Sequence, residues 1–95
     1  MTEINALFHP DRMTKAQYDE AVEKLTAAGA WTPGGQLSHA CYGEDGDLRV
    51  ADVFDSRESF DAFGKILMPI LADIGIGNVE PEISDIHNCR SVACA

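Results

Sequence analysis

The chain has little basic charge and no long apolar run. Its 95 residues hold 7 Lys plus Arg against 16 Asp plus Glu, which gives a formal charge of -9 at pH 7. A surface of this sign repels phosphate backbones and anionic lipids, so we expect neither a nucleic-acid nor a membrane partner. The longest apolar stretch, residues 66–72, contains Pro69 and is too short to span a bilayer. The first residues do not show the pattern of a secretion signal, and we expect a cytoplasmic protein.

Cysteines are also few. Cys41, Cys89 and Cys94 include no pair at the spacing of a zinc knuckle or a redox CxxC motif. We interpret Cys41 as buried and the other two as free thiols in a tail, as a reducing compartment keeps them. GxGxxG, P-loop, GxSxG and HExxH motifs are missing as well, which argues against nucleotide-dependent and serine-hydrolase chemistry.

Hydrophobic periodicity predicts six elements, because apolar residues alternate in four segments and recur at a period of 3.6 in two others. Gln17 stands three residues after Thr14 and completes a possible capping box. Pro69 predicts a kink in the second helix between residues 65 and 69. The predicted elements are a strand at 3–8, a helix from the cap Thr14 to about Gly29, strands at 36–42 and 48–55, a helix from the cap Ser56 to about Gly75, and a strand at 79–87.

This order is the ferredoxin-like β-α-β-β-α-β pattern, which predicts an α+β domain with a four-stranded antiparallel sheet and both helices on one face. We expect a single domain over residues 1–88, followed by a tail at 89–95. The other sheet face carries Ala40, Val53 and Ile86 at alternating positions. A second copy of the sheet would cover these apolar side chains, so a homodimer is expected.

The dipeptide Asp45-Gly46 predicts a two-residue hairpin turn, and this turn fixes which side chains face each other. Directly opposed side chains have Cβ atoms about 4.5–5.5 Å apart, close enough for an imidazole to bond a carboxylate. The pair of His39 and Asp52 could act as a general base, in which the carboxylate orients the imidazole, or the two side chains could simply satisfy each other as half-buried polar groups. The predicted pairs are Cys41 with Val50, His39 with Asp52, and Leu37 with Phe54.

Several short segments between His39 and Pro69 are typical of one family. They are residues 39–43 (HACYG), Asp45-Gly46, residues 50–56 (VADVFDS), Glu58, Phe60, Phe63 and Met68-Pro69. In this stretch the chain resembles the dimeric α+β barrel superfamily, and within it the antibiotic-biosynthesis-monooxygenase-like proteins, although Trp is common where Phe54 stands. A haem-degrading relative would carry an axial His on the second helix, and residues 57–74 contain none.

The resemblance implies a homodimer with an apolar pocket for a small aromatic or polyketide-like molecule, which it would oxidise without a cofactor. A non-catalytic binding or accessory dimer is the alternative. The hydroxyl of Tyr18 would lie either between helix and sheet or at the rim of the pocket. Trp31 would either close over a ligand or pack against its own loop. His87 would either reach the mouth of the site or stay exposed. No metal site is expected. The predicted catalytic residues are His39 and Asp52, and the predicted ligand-binding residues are Tyr18, Trp31, Phe54, Phe63, Leu67 and His87.

Overall fold

A computed structural model describes residues 2–77 and 79–90. The predicted order of elements is confirmed. The last strand is shorter than the predicted 79–87, because it begins only after Pro81, which has no backbone N–H, and ends at Asp85. Cys89 is exposed, whereas Cys94 lies outside the described residues. The elements are β1 (Ile4–Phe8), α1 (Lys15–Ala27), β2 (Gln36–Glu44), β3 (Asp47–Phe54), α2 (Arg57–Asp73) and β4 (Glu82–Asp85).

The four strands form one antiparallel sheet in the order β2-β3-β1-β4. β1 therefore lies in the interior of the sheet, between β3 and β4, although it begins the chain. This arrangement, with two helices connecting the strands, is the predicted ferredoxin-like α+β fold.

Both helices begin at the predicted caps. The side chain of Thr14 accepts a hydrogen bond from the backbone of Gln17 at 3.1 Å, and the Gln17 side chain accepts one from the Thr14 backbone at 3.0 Å. Ser56 caps α2 by accepting from the backbone of Ser59 at 3.2 Å. These contacts satisfy backbone donors that have no partner within the helix. Pro69 lies inside α2, which continues to Asp73, and the expected kink stays a prediction.

The β2-β3 hairpin has the predicted two-residue turn, with Glu44 opposite Asp47. The predicted pairs of His39 with Asp52 and of Cys41 with Val50 are confirmed. The predicted pair of Leu37 with Phe54 is wrong, because an irregularity between Gln36 and Ser38 shifts the register and places Gln36 opposite Phe54. Such a bulge inserts one residue into one strand. Leu37 is consequently 43% exposed instead of facing the helices.

The core lies between the helices and one face of the sheet, which we call the inner face. Phe54 and Ala6 on this face are fully buried. The opposite, outer face carries the predicted apolar residues: Val53 and Ile86 are half-buried, and Ala40 is exposed. No helix among the described residues is long and apolar enough to cross a membrane.

Candidate functional site

A cavity of about 50 Å³ lies between the inner face of the sheet and the two helices. On this measure a single water needs roughly 10–15 Å³, so the cavity has room for about three to five waters and favours a ligand with one ring over a polycyclic one. Phe63 and Leu67 line it, as predicted for ligand-binding residues. The other apolar side chains of its wall include Phe8, Met13, Val22 and Leu25.

His39 and Asp52 form the polar centre of this cavity. Nδ1 of His39 is hydrogen-bonded to Oδ1 of Asp52, and both residues line the cavity wall. The side chain of Asp52 is only 2% exposed and that of His39 is 22% exposed. Because a carboxylate only accepts, Nδ1 carries the proton of this bond and Nε2 is the nitrogen that remains for other partners. A buried carboxylate thus fixes the orientation of the imidazole ring.

Gln36 supports the couple from the bulged end of β2. Its side-chain Nε2 donates to Oδ1 of Asp52 at 3.1 Å, and the residue lines the cavity. The regular register would have turned Leu37 toward Asp52, so the bulge is what places an amide there. Sequence reasoning missed this residue. The available signal was Gly34-Gly35 immediately before the strand, since Gly35 adopts a φ of +84° that favours glycine.

Tyr18 completes a chain of hydrogen bonds that crosses from helix to sheet. Its hydroxyl lies 2.7 Å from Nε2 of His39, and its ring stacks on the imidazole at a centroid distance of 6.1 Å. The hydroxyl therefore points between helix and sheet, one of the two orientations expected. Burial raises the pKa of Tyr18 to about 12, and the negative charges of Cys41, Asp52 and Asp19 add to this effect. Tyr18 consequently keeps its proton at neutral pH and donates it to Nε2 of His39 when that nitrogen carries no proton.

Trp31 packs with its ring plane nearly perpendicular to His39, at a centroid distance of 5.3 Å and an angle of 81°. The side chain is half-buried and lines the cavity. It lies in the loop between α1 and β2, where a displacement would widen the space beside the imidazole. The predicted packing of this loop and the predicted role as a lid are both compatible with this position.

Two of the predicted ligand-binding residues are not brought to the cavity. Phe54 is completely buried and packs against Phe60 and Phe63, at ring-centroid distances of 5.5 and 5.7 Å. It supports the cavity wall from behind. His87 is exposed beyond β4, which lies at the far edge of the sheet from β2. Among residues 2–77 and 79–90, no three His, Cys, Asp or Glu side chains lie close enough together to hold a metal ion.

Comparison with known structures identifies this architecture. A single-site variant of SnoaB, a cofactor-independent oxygenase from Streptomyces nogalater, is 15% identical and has a TM-score of 0.66, over 94% of this chain and 97% of that one. A Chloroflexus aurantiacus protein provisionally described as an antibiotic biosynthesis monooxygenase is 20% identical, with a TM-score of 0.62, over 95% of this chain and 99% of that one. A dimeric ferredoxin-like protein of unknown function from Thermobifida fusca is 15% identical, with a TM-score of 0.61, over 90% and 92% of the two chains.

The fold is that of the dimeric ferredoxin-like proteins. The sequence resemblance to antibiotic-biosynthesis-monooxygenase-like proteins is thereby confirmed at the level of the fold. The sequence matches no protein-family model and no curated protein. Because one fold hosts many activities, the chemistry has to be argued from the cavity itself.

The cavity contains a proton acceptor, the imidazole of His39, within a mostly apolar wall. Tyr18, His39, Asp52 and Gln36 form one continuous hydrogen-bonded line, and most of the other lining side chains are apolar. An imidazole backed by a buried carboxylate can take a proton from a weakly acidic group and hold it as an ion pair. Such a site is suited to deprotonating a small aromatic molecule away from bulk water.

Proposed function

We propose that this protein binds a small phenol in the cavity and oxidises it with molecular oxygen, without a bound cofactor. The observation that carries the proposal is the buried couple of His39 and Asp52 inside an otherwise apolar cavity. A phenol matches both features, because its ring suits the apolar wall and its hydroxyl is a weak acid. The likeness in fold to SnoaB, a cofactor-independent oxygenase, supports the same class of reaction.

The reaction starts with proton removal. The phenolic proton passes to the base formed by His39 and Asp52, and the resulting phenolate is rich enough in electrons to react directly with oxygen. One oxygen atom becomes a second ring carbonyl, and the other leaves as water with the two hydrogens that the phenol loses. The products are a quinone and water, so atoms and electrons balance with no further reductant. The protein supplies deprotonation, orientation and a site with little water.

We also propose that the working form is a homodimer in the cytoplasm. The half-buried apolar side chains of the outer sheet face, Val53 and Ile86, would be covered by a second copy. The fold neighbours described as dimeric support this assembly. The free thiols of Cys41 and Cys89 fit the reducing cytoplasm.

The test is oxygen uptake with a panel of one-ring and two-ring phenols and hydroquinones, together with incorporation of labelled oxygen into the product. His39→Gln should reduce kcat/KM by about 10²-fold or more, the usual contribution of a general base. The matched control is His9→Gln, because His9 forms an exposed pair with Asp47 at 2.8 Å. His9→Gln should leave the rate unchanged. Equal rates for the two variants would contradict the proposed role of His39.

A non-catalytic binding protein is the second candidate. The observation in its favour is that both ring nitrogens of His39 already have partners within the chain, Asp52 and Tyr18. No buried side-chain nitrogen or oxygen in the described part of the chain lacks a hydrogen bond, so the network is also a stable structural unit. Quenching of Trp31 fluorescence by a phenol that is bound but never consumes oxygen would favour this second function.

A further inference from the structure

The two ring nitrogens of His39 are both engaged, and this limits how a ligand can use them. Nδ1 bonds to Asp52, and Nε2 lies 2.7 Å from the hydroxyl of Tyr18. A phenol that enters the cavity therefore meets no open nitrogen on the imidazole. Either it displaces the tyrosine hydroxyl, or it acts on His39 through that hydroxyl.

The hydroxyl of Tyr18 has capacity for one more partner. A phenolic oxygen has one proton and two lone pairs, and the proton is donated to Nε2 of His39 when that nitrogen carries no proton. The lone pairs can accept a hydrogen bond from a ligand, because Tyr18 lines the cavity. Gln36 also lines the cavity, but its amide bonds to Asp52 and has no hydrogen bond to His39 through which a proton could pass.

We infer, on the basis of the proposed function, that Tyr18 is a catalytic residue that contacts the ligand's hydroxyl and relays its proton to His39. In this step the ligand O–H bond breaks as a new O–H bond forms on Tyr18. At the same time the original O–H bond of Tyr18 breaks, and its proton forms an N–H bond on Nε2, which makes His39 an imidazolium. The ligand becomes a phenolate, which accepts a hydrogen bond from Tyr18, and the positive imidazolium lies beside the carboxylate of Asp52.

The relay agrees with the properties of Tyr18. Its raised pKa of about 12 makes the hydroxyl a weak acid, so it gives its proton to the imidazole only if it takes the ligand's proton in the same step. The ring stacks on the imidazole at an interplanar angle of 17°, which keeps the hydroxyl beside Nε2. The ligand class that follows is a small phenol, more acidic than a tyrosine, whose hydroxyl approaches from the cavity side.

The experiment uses 4-nitrophenol as the probe, because its phenolate absorbs at longer wavelength than the phenol and no turnover is needed. At a fixed pH below the ionisation of the free probe, the ratio of bound phenolate to bound phenol is measured in the purified protein. Tyr18→Phe should lower this ratio roughly tenfold or more, because the ligand's proton then has no hydrogen-bonded path to His39. Tyr42→Phe is the matched control, since Tyr42 is 45% exposed near the hairpin turn, and it should leave the ratio unchanged.

A double-mutant cycle with His39→Gln separates a relay from two independent contacts. In a relay the two residues act as one unit, so each single variant and the double variant should reach the same low ratio. Circular dichroism and thermal unfolding confirm that the variants are folded. A ratio in Tyr18→Phe that equals or exceeds that of the unaltered protein would overturn the relay and show that the ligand reaches His39 directly, with the proposed function intact. If the unaltered protein does not bind the probe, or binds it without ionising it, both the relay and the proposed function are overturned.

Discussion

The hydroxyl of Tyr18 on α1 and Nε2 of His39 on β2 lie 2.7 Å apart, although the two residues are 21 positions apart in the sequence. This contact links the helix layer to the buried carboxylate of Asp52 through a single imidazole. It also makes the position of α1 on the sheet part of the site, because a small rotation of the helix would withdraw the hydroxyl. Stability and proton transfer are therefore expected to respond to the same side chains.

The ionisation of Tyr18 can be measured directly. The protein has two tyrosines, so Tyr42→Phe leaves the tyrosinate absorbance of Tyr18 alone. Burial, with the charges of Cys41, Asp52 and Asp19, raises the pKa of Tyr18 from 10.0 to about 12, and the absorbance should rise with a midpoint near that value. The same variant unfolded in urea should show the ordinary midpoint of about 10. Equal midpoints in the two states would contradict the buried position of Tyr18.

The raised pKa of Tyr18 also sets a pH dependence of stability. Because the folded-state value exceeds the unfolded one, the contribution of the protonated hydroxyl is fully present below pH 10.0 and is lost as the pH rises toward about 12. The free energy of unfolding should therefore fall over this window, and less steeply in Tyr18→Phe. Urea denaturation of the two proteins at several alkaline pH values measures the difference. Parallel curves would show that Tyr18 does not contribute.

Gly35 is expected to be essential for the bulge that carries Gln36. An added Cβ at Gly35 would lie 2.5 Å from Oγ of Ser59 and 2.7 Å from Oδ1 of Asp55, and its φ of +84° is unfavourable for alanine. Gly35→Ala should therefore lower the free energy of unfolding by about 2–4 kcal/mol. Gly34→Ala is the control, because an added Cβ there meets no atom within 4 Å, and it should change stability by less than about 0.5 kcal/mol. Similar losses of stability in Gly35→Ala and Gly34→Ala would exclude a specific steric and backbone requirement at Gly35.

The sequence allowed the central couple of the site to be predicted, and the rest of the network escaped for physical reasons. Asp45-Gly46 closes a two-residue turn, so counting outward from it gives the pairing of His39 with Asp52. Counting residue pairs outward from the turn fails beyond Ser38, because the bulge depends on the backbone of the loop before the strand. The residues of the hairpin itself do not indicate it. Gln36 was consequently missed. The contact between Tyr18 and His39 depends on how α1 is rotated on the sheet, which tertiary packing decides.

Asp52 is expected to stabilise the fold through its charge as well as its position. The same oxygen, Oδ1, accepts from both His39 and Gln36, so Asp52→Asn can keep both contacts while losing the negative charge. We expect a loss of about 1–2 kcal/mol, the difference between charged and neutral hydrogen bonds. Asp52→Leu leaves both donors without an acceptor and should cost about 3 kcal/mol or more.

The control for these variants is Asp47→Asn. Asp47 also bonds to a histidine, His9, at 2.8 Å, but its side chain is 61% exposed. The hydrogen bond from His9, with the charges of His9 and Arg49, lowers the pKa of the Asp47 carboxyl. Water screens such a surface pair, so its removal should cost much less stability than either change at Asp52. Urea denaturation at pH 7 measures all three variants, and a loss in Asp52→Leu no larger than in Asp47→Asn would show that the buried network contributes little.

The outer sheet face should hold two copies together. Val53 lies on β3, in the interior of the sheet, and its half-buried side chain is on the face that the helices leave open. Val53→Lys would place an unpaired charge in each half of a two-fold interface, and the dimer should dissociate to a mass of 10.3 kDa by light scattering at micromolar concentration. Ile66→Lys is the matched control, because Ile66 is 42% exposed on α2 and lies away from the outer face. This control should keep twice the monomer mass. If the unaltered protein itself has a mass of 10.3 kDa, the outer face is not a dimer interface, and its apolar side chains must have another partner.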